Sequence, residues 1–250
     1  MQTSGVAVEI EGPVAEVVVG TGRRRNAMTG AGWDRLAVVL RNVAASSAVR
    51  AVVVRGAGET FCAGSDMTEW QDADLAQVER SFARMEAAFR AIEECPVPVV
   101  AEIRGAAAGA GCELALACDL RVMARSARIG MPIARLGILP SPAFASRLAA
   151  VAGPAVAREL LYTGRLLDAP AAVSAGLANH AVPDAELTVY VAGLVAEITD
   201  QPPAAVRAAK AAVTAGTWRP SRVPTGPAVS PADFYAGISA FLSHRDKAAS

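Results

Sequence analysis

Sulfur and imidazole are scarce in this chain. Four cysteines and two histidines are spread over 250 residues. Cys62, Cys95, Cys112 and Cys118 contain no C-x-x-C pair, and His180 and His244 add too little for a zinc set, so no metal site is expected. Excess charge of either sign is also missing. Twenty-four basic residues face twenty-four acidic ones, for a formal net charge of zero. That removes the electrostatic case for nucleic acid or an anionic membrane. No apolar run is long enough, free of charges and turns, to span a bilayer. The first residues, MQTSG, lack the basic start and apolar core of a secretory leader. The expectation is a reduced, cytoplasmic protein without membrane or nucleic-acid partners.

What remains is apolar. Hydrophobic residues make up 53% of the chain and charged ones only 19%, which implies a large buried interior or subunit interface. The length suits one large domain, or one domain with an appendage. A core over 1–195 and a helical C-terminal region over 196–250 are expected, the latter carrying a proline-rich linker at 217–231.

The pattern centres on Ile103 to Leu120, IRGAAAGAGCELALACDL. Val97 to Ile103 predicts a buried strand, and Ala106 to Gly111 a small-residue turn. Cys112 to Cys118 then predicts a buried helix with Glu113 in its first turn. Such a turn aims free helix N-terminal amides at whatever binds there. A second strand, Val49 to Arg55, leads through Gly56 to Gly58 into another small-residue loop, FCAGSDM. Two loops of this kind, each after a strand, suit an oxyanion hole with one amide from each.

The remaining elements follow in order. Val6 to Ile10 and Val14 to Val19 predict a hairpin, and Thr29 caps a helix to Ala45. A long amphipathic helix runs from Asp72 to Cys95, with Leu75, Val78, Phe82, Met85, Phe89 and Ile92 on one stripe. Leu120 to Ala124 is a strand. Two separate helices are expected over Phe144 to Val151 and Ala155 to Tyr162, and a capped one from Asp168 to Ser174. After a short strand, Ala178 to Val182, come helices at 184–199 and 203–215. Strands alternating with helices argue for an α/β core.

FCAGSDMTEW and IRGAAAGAGCELALACDL, in this order and at this separation, resemble the two signature loops of the enoyl-CoA hydratase/isomerase (crotonase) superfamily. Arg23 to Met28 resembles that family's early CoA-contacting loop, and IGMPIARLGILP (129–140) its third loop. The resemblance implies a crotonase-like (ClpP/crotonase) α/β spiral of repeated ββα units with a C-terminal helical region. It also implies a homotrimer or dimer of trimers, a place in fatty acid metabolism and an acyl-CoA thioester as partner. No separate cofactor is implied, because CoA arrives on the substrate.

By the same resemblance the oxyanion donors are the amides of Ser65 and Ala110. Ala63, Gly64, Asp66, Met67 and Gly109 border the ligand, with Pro132 and Ile133 from the third loop. Arg23 and Arg24 lie against the adenine and phosphates; read from composition alone, the Arg23–Arg25 run is equally a solvated loop. Phe241 and His244 would approach CoA from the C-terminal helix.

Glu113 matches one of the family's two proton-handling glutamates, and Ile133 stands where the second is expected. Arg135, Ser141, Asp66 and Glu69 are the polar groups left to enter the cavity. Three activities follow. The first is hydration of a 2-enoyl-CoA with Glu113 as single acid/base. The second is decarboxylation of a malonyl-type acyl-CoA or double-bond isomerisation. The third is non-catalytic acyl-CoA binding.

Other motifs fail. Leu114 occupies the third glycine's place in a dinucleotide fingerprint, and Ala63 and Met67 replace the glycines of a serine nucleophile elbow. Cys62 and Cys112 read as small buried thiols, and Asp119 as a structural carboxylate.

Overall fold

The computed structural model describes residues 5–70, 74–136 and 138–216. The expected linker at 217–231, Phe241 and His244 lie outside them. The chain opens with the hairpin β1 (Val6–Glu11) and β2 (Val14–Val19). Helix α1 (Gly30–Ala45) follows, and the Thr29 side chain caps it by accepting from the Gly32 amide. Then come β3 (Ala51–Gly56) and α2 (Leu75–Glu93). Helix α2 starts one residue after the described chain resumes at 74, because Asp74 and Gln77 form a reciprocal capping box there.

Strands β4 (Val99–Ile103) and β5 (Ala106–Ala108) lead into α3 (Ala110–Ala117). β6 (Leu120–Ala124) and β7 (Arg128–Gly130) precede a short 3-10 turn (Pro132–Leu136) and α4 (Pro142–Thr163). The chain continues through β8 (Leu166–Asp168), α5 (Ala169–Ser174), β9 (His180–Val182), α6 (Leu187–Asp200) and α7 (Pro203–Gly216).

Six strands form one sheet in the order β1-β2-β3-β4-β6-β9, parallel except for the opening hairpin. β3 and β4 are covered on both faces, which is why they open on the apolar runs AVVV and VVA rather than alternating. A small sheet, β5-β7-β8, stands apart. Cys62 extends it through an isolated parallel bridge to Ala107. Each repeat thus places one strand in the large sheet, a short partner in the small sheet, and then a helix. This is the ββα spiral.

One expectation needs correcting, and one holds in detail. The run Ala106 to Gly111 is not all turn: three alanines form β5, because β7 supplies a parallel partner that the sequence alone does not reveal. The two helices expected over Phe144 to Val151 and Ala155 to Tyr162 are both present as the two halves of α4, parted at Gly153, whose φ is +77°. Glycine takes that positive φ, and Pro154 opens the second half.

Helix α7 is tied down by Lys210. Its ammonium donates to the carbonyl of Val97 at 3.0 Å and to Asp119 Oδ2 at 2.7 Å. Asp119 also accepts from the Val99 amide, so its carboxylate is structural, as expected.

Candidate active site

The two small-residue loops leave the small sheet side by side. Cys62 pairs with Ala107, its amide donates to the Ala106 carbonyl at 2.9 Å, and its carbonyl accepts from the Ala108 amide at 3.0 Å. Ser65 and Ala110 each lie three residues past this bridge. Between them the backbones nearly touch. A β-carbon on Gly64 would stand 3.0 Å from the Ala108 carbonyl oxygen and 3.4 Å from the Ala110 nitrogen, and Gly64 has φ +106°. A β-carbon on Gly111 would fall 1.9 Å from the Cys62 carbonyl oxygen. Glycine is required at both places for the loops to close on each other.

The neighbouring amides are consumed: Ala63 donates to the Arg25 carbonyl, Asp66 to Met28 and Gly109 to Gly130. Among the described residues no partner is recorded for the Ser65 or Ala110 amide. Ala110 opens α3, where a first-turn amide has no intrahelical acceptor.

The Ser65 hydroxyl points the other way. It accepts from Trp33 Nε1 at 3.1 Å and donates to Met85 Sδ at 2.8 Å. A serine held between a core indole and a thioether is an anchor for its own backbone, not a nucleophile.

Asn26 ties down the first loop from behind. It is buried, with its φ at +58°. Its side-chain amide donates to the carbonyls of Ala57 and Thr60, and its oxygen accepts from the Gly22 amide. Arg24 and Arg25 share the positive φ, so three consecutive non-glycine residues hold a left-handed turn that costs energy.

Glu113 is completely buried. Its Oε2 accepts from Arg147 Nη1 at 2.7 Å, while Oε1 has no partner among the described residues. Arg147 comes from α4 and is shared: Nε bonds Glu93 at 2.7 Å and Nη2 bonds Glu86 at 2.8 Å. Burial pushes the Glu113 carboxyl up; Arg147 pulls it back, and Glu86 and Glu93 raise it again, for a balance at about 8. An acid poised near neutrality, with one oxygen free, can both take and give a proton.

The chain as a whole is similar to known proteins. The family model described as enoyl-CoA hydratase/isomerase matches residues 9–226. A short-chain-enoyl-CoA hydratase of Clostridium acetobutylicum is 32% identical over 217 residues, covering 86% of this chain and 83% of that protein. The chain belongs to the enoyl-CoA hydratase/isomerase family.

Solved structures agree. An enoyl-CoA hydratase/carnithine racemase from Magnetospirillum magneticum superposes with TM-score 0.86 at 31% identity, over 97% of this chain and 94% of that one. A putative enoyl-CoA hydratase from Thermobifida fusca, solved in complex with CoA, gives 0.79 at 31% identity over 98% and 95%. The fold is therefore that of the crotonase superfamily.

Within this family member, the residues expected at the site part company. Ser65, Gly64, Gly109 and Ala110 come together, and α3 carries Glu113 one turn beyond Ala110. Ile133 is buried after β7, whose last residue, Gly130, accepts from the Gly109 amide; Pro132 stands beside it. Arg23 is exposed, and Met67 is half exposed at the start of a short turn.

The four polar groups left to enter the cavity are otherwise engaged where they can be described. Glu69 Oε2 caps α1 through the Gly30 amide at 2.7 Å, because the turn at Met67–Trp70 folds back onto that helix. Ser141 caps α4. Asp66 pairs with Arg24 and Thr68, so Arg24, itself largely exposed, is tethered to the first loop. The Arg135 side chain lies outside the described residues.

The sequence reading missed Arg147, Glu86, Glu93 and Asn26. A signal existed for three of them. Glu86 and Glu93 are seven residues apart, hence on one face of α2, and Arg147 is the one charged residue in the apolar stretch from Pro142 to Gly153. A cavity of about 470 Å³ elsewhere, between β3, β4 and the start of α6, is walled by mutually paired charges including Arg55–Glu16 and Arg104–Glu102. It shares no residue with the two loops.

Proposed function

We propose that the protein hydrates a 2-enoyl-CoA, with the thioester oxygen held by the amides of Ser65 and Ala110 and with Glu113 as the one proton carrier. The observation that carries this is the buried carboxyl of Glu113, one oxygen fixed by Arg147 and the other without a partner among the described residues, one helical turn from the Ala110 amide.

Ionised Glu113 takes a proton from water as its oxygen attacks the β-carbon. Electrons move onto the thioester oxygen, where two preset donors stabilise the enolate without reorganising. The α-carbon then takes the proton back from Glu113. Water is added in full, hydroxyl at one carbon and hydrogen at the next, and the carboxylate is restored. A second carboxylate is not needed, which accommodates Ile133. The likeness to a short-chain-enoyl-CoA hydratase supports the substrate class. CoA lies over Arg23 and Arg24, beside Ala63, Asp66 and Met67. We further propose a cytoplasmic homotrimer acting in fatty acid metabolism, with mass in solution as the check on assembly.

Ile133 favours one second reading. An isomerase needs only one base, to lift the α-proton of a 3-enoyl-CoA and return it at the γ-carbon. Wild type and Glu113→Ala should be assayed on crotonyl-CoA, on a 3-enoyl-CoA, and for carbon dioxide release from methylmalonyl-CoA. Glu113-dependent loss of the conjugated enoyl absorbance supports hydration. Its appearance from the 3-enoyl substrate alone supports isomerisation. Release of carbon dioxide, or binding without turnover, overturns both.

A further inference from the structure

One guanidinium serves three carboxylates. Arg147 gives Nε to Glu93, Nη2 to Glu86 and Nη1 to Glu113, with Nη1 also 3.5 Å from the second oxygen of Glu86. Its plane lies over the Phe89 ring, 5.3 Å from the centroid, so it cannot swing toward any one partner without leaving the ring. Phe89 packs edge-on against Trp33, the same indole that holds Ser65. The cation is therefore fixed relative to both halves of the site.

Its partners differ in access. Glu113 is sealed, whereas the side chains of Glu86 and Glu93 are about a quarter and a third exposed. Among the described residues, β5, which also packs on α3, is all alanine, and α3 itself offers besides Glu113 only the buried thiol of Cys112.

We propose that Glu86 and Glu93 are positioning residues that divide the charge of Arg147, and that the share left to Glu113 sets the pH range over which Glu113 exchanges a proton with substrate. Neither touches the acyl group. Each acts by competing for the same donors and by repelling a second negative charge at Glu113. This rests on the proposed role of Glu113.

The experiment compares wild type with Glu86→Gln, Glu93→Gln and Arg147→Lys in two readouts. The first is the pH dependence of kcat/KM on crotonyl-CoA. The second needs no turnover: an infrared pH titration of the carboxyl band that Glu113→Gln abolishes. In both glutamine variants the midpoint is expected to fall by about one pH unit, a tenfold change in proton affinity. In Arg147→Lys it should rise, since a point charge cannot span three carboxylates. Midpoints that match wild type in both glutamine variants overturn the proposal, whatever happens to melting temperature. If crotonyl-CoA is not turned over while the infrared midpoints move as stated, the hydratase reading falls and this one stands. Should Arg147→Lys fail to fold, the two glutamine variants, altered at partly exposed sites, still decide.

Discussion

A methyl group on the α-carbon of Gly64 would stand 3.4 Å from the amide nitrogen of Ala110. The two loops are that close because Cys62 and Ala107, two residues before Gly64 and three before Ala110, bridge each other. Gly64→Ala would fill the space between the donors and strain a backbone at φ +106°. Its kcat on crotonyl-CoA is expected to drop at least about 100-fold, the scale of a lost oxyanion donor. Circular dichroism should show the fold retained.

Ser65→Ala tests the opposite point. The hydroxyl is engaged by Trp33 and Met85 and the amide is untouched. Activity should stay within about tenfold of wild type, while stability falls by about 1 kcal/mol for the lost indole bond. A loss of several orders of magnitude would mean that the oxygen itself reacts.

Glu113 links rate to pH. Its carboxyl titrates at about 8, and the hydration step begins from the ionised form. Accordingly kcat/KM should rise with pH and level off above about 8, and Glu113→Gln should flatten the limb along with the rate. A profile that falls through this range would contradict the assigned role.

The same group links stability to pH. Folded Glu113 binds its proton more tightly than an unfolded glutamate, whose ordinary value is 4.5. Between pH 4.5 and about 8 the folded state thus holds the extra proton, and its advantage is lost as pH rises through that window. Glu113→Gln never carries the buried charge. Its melting temperature should exceed that of wild type at pH 9, by on the order of 5 °C, with a smaller gap at pH 5.

Asn26→Ala should be costly. It strands two carbonyls, Ala57 and Thr60, that now accept from its side chain, and it leaves alanine at φ +58°. About 3 kcal/mol of stability should go, read as a denaturant midpoint, together with activity, since this residue holds the first loop in register.

The residues of both loops, the capped helix after Thr29, the buried runs of β3 and β4, and Glu113 in the first turn of α3 were all legible in the sequence. Each is a local pattern: a period, a cap or a glycine where the chain must turn. What pattern could not supply was partnership across the chain. Ala106–Ala108 is a strand only because β7 arrives beside it. Asp66 and Glu69 look available until Arg24 and the amide of Gly30 claim them. Glu113 stands 34 residues before Arg147, and no spacing rule joins them. The sequence thus determined that a carboxyl would sit at the mouth of that helix. Tertiary packing alone decided how strongly it holds a proton, because desolvation and a shared guanidinium depend on what surrounds a group in space.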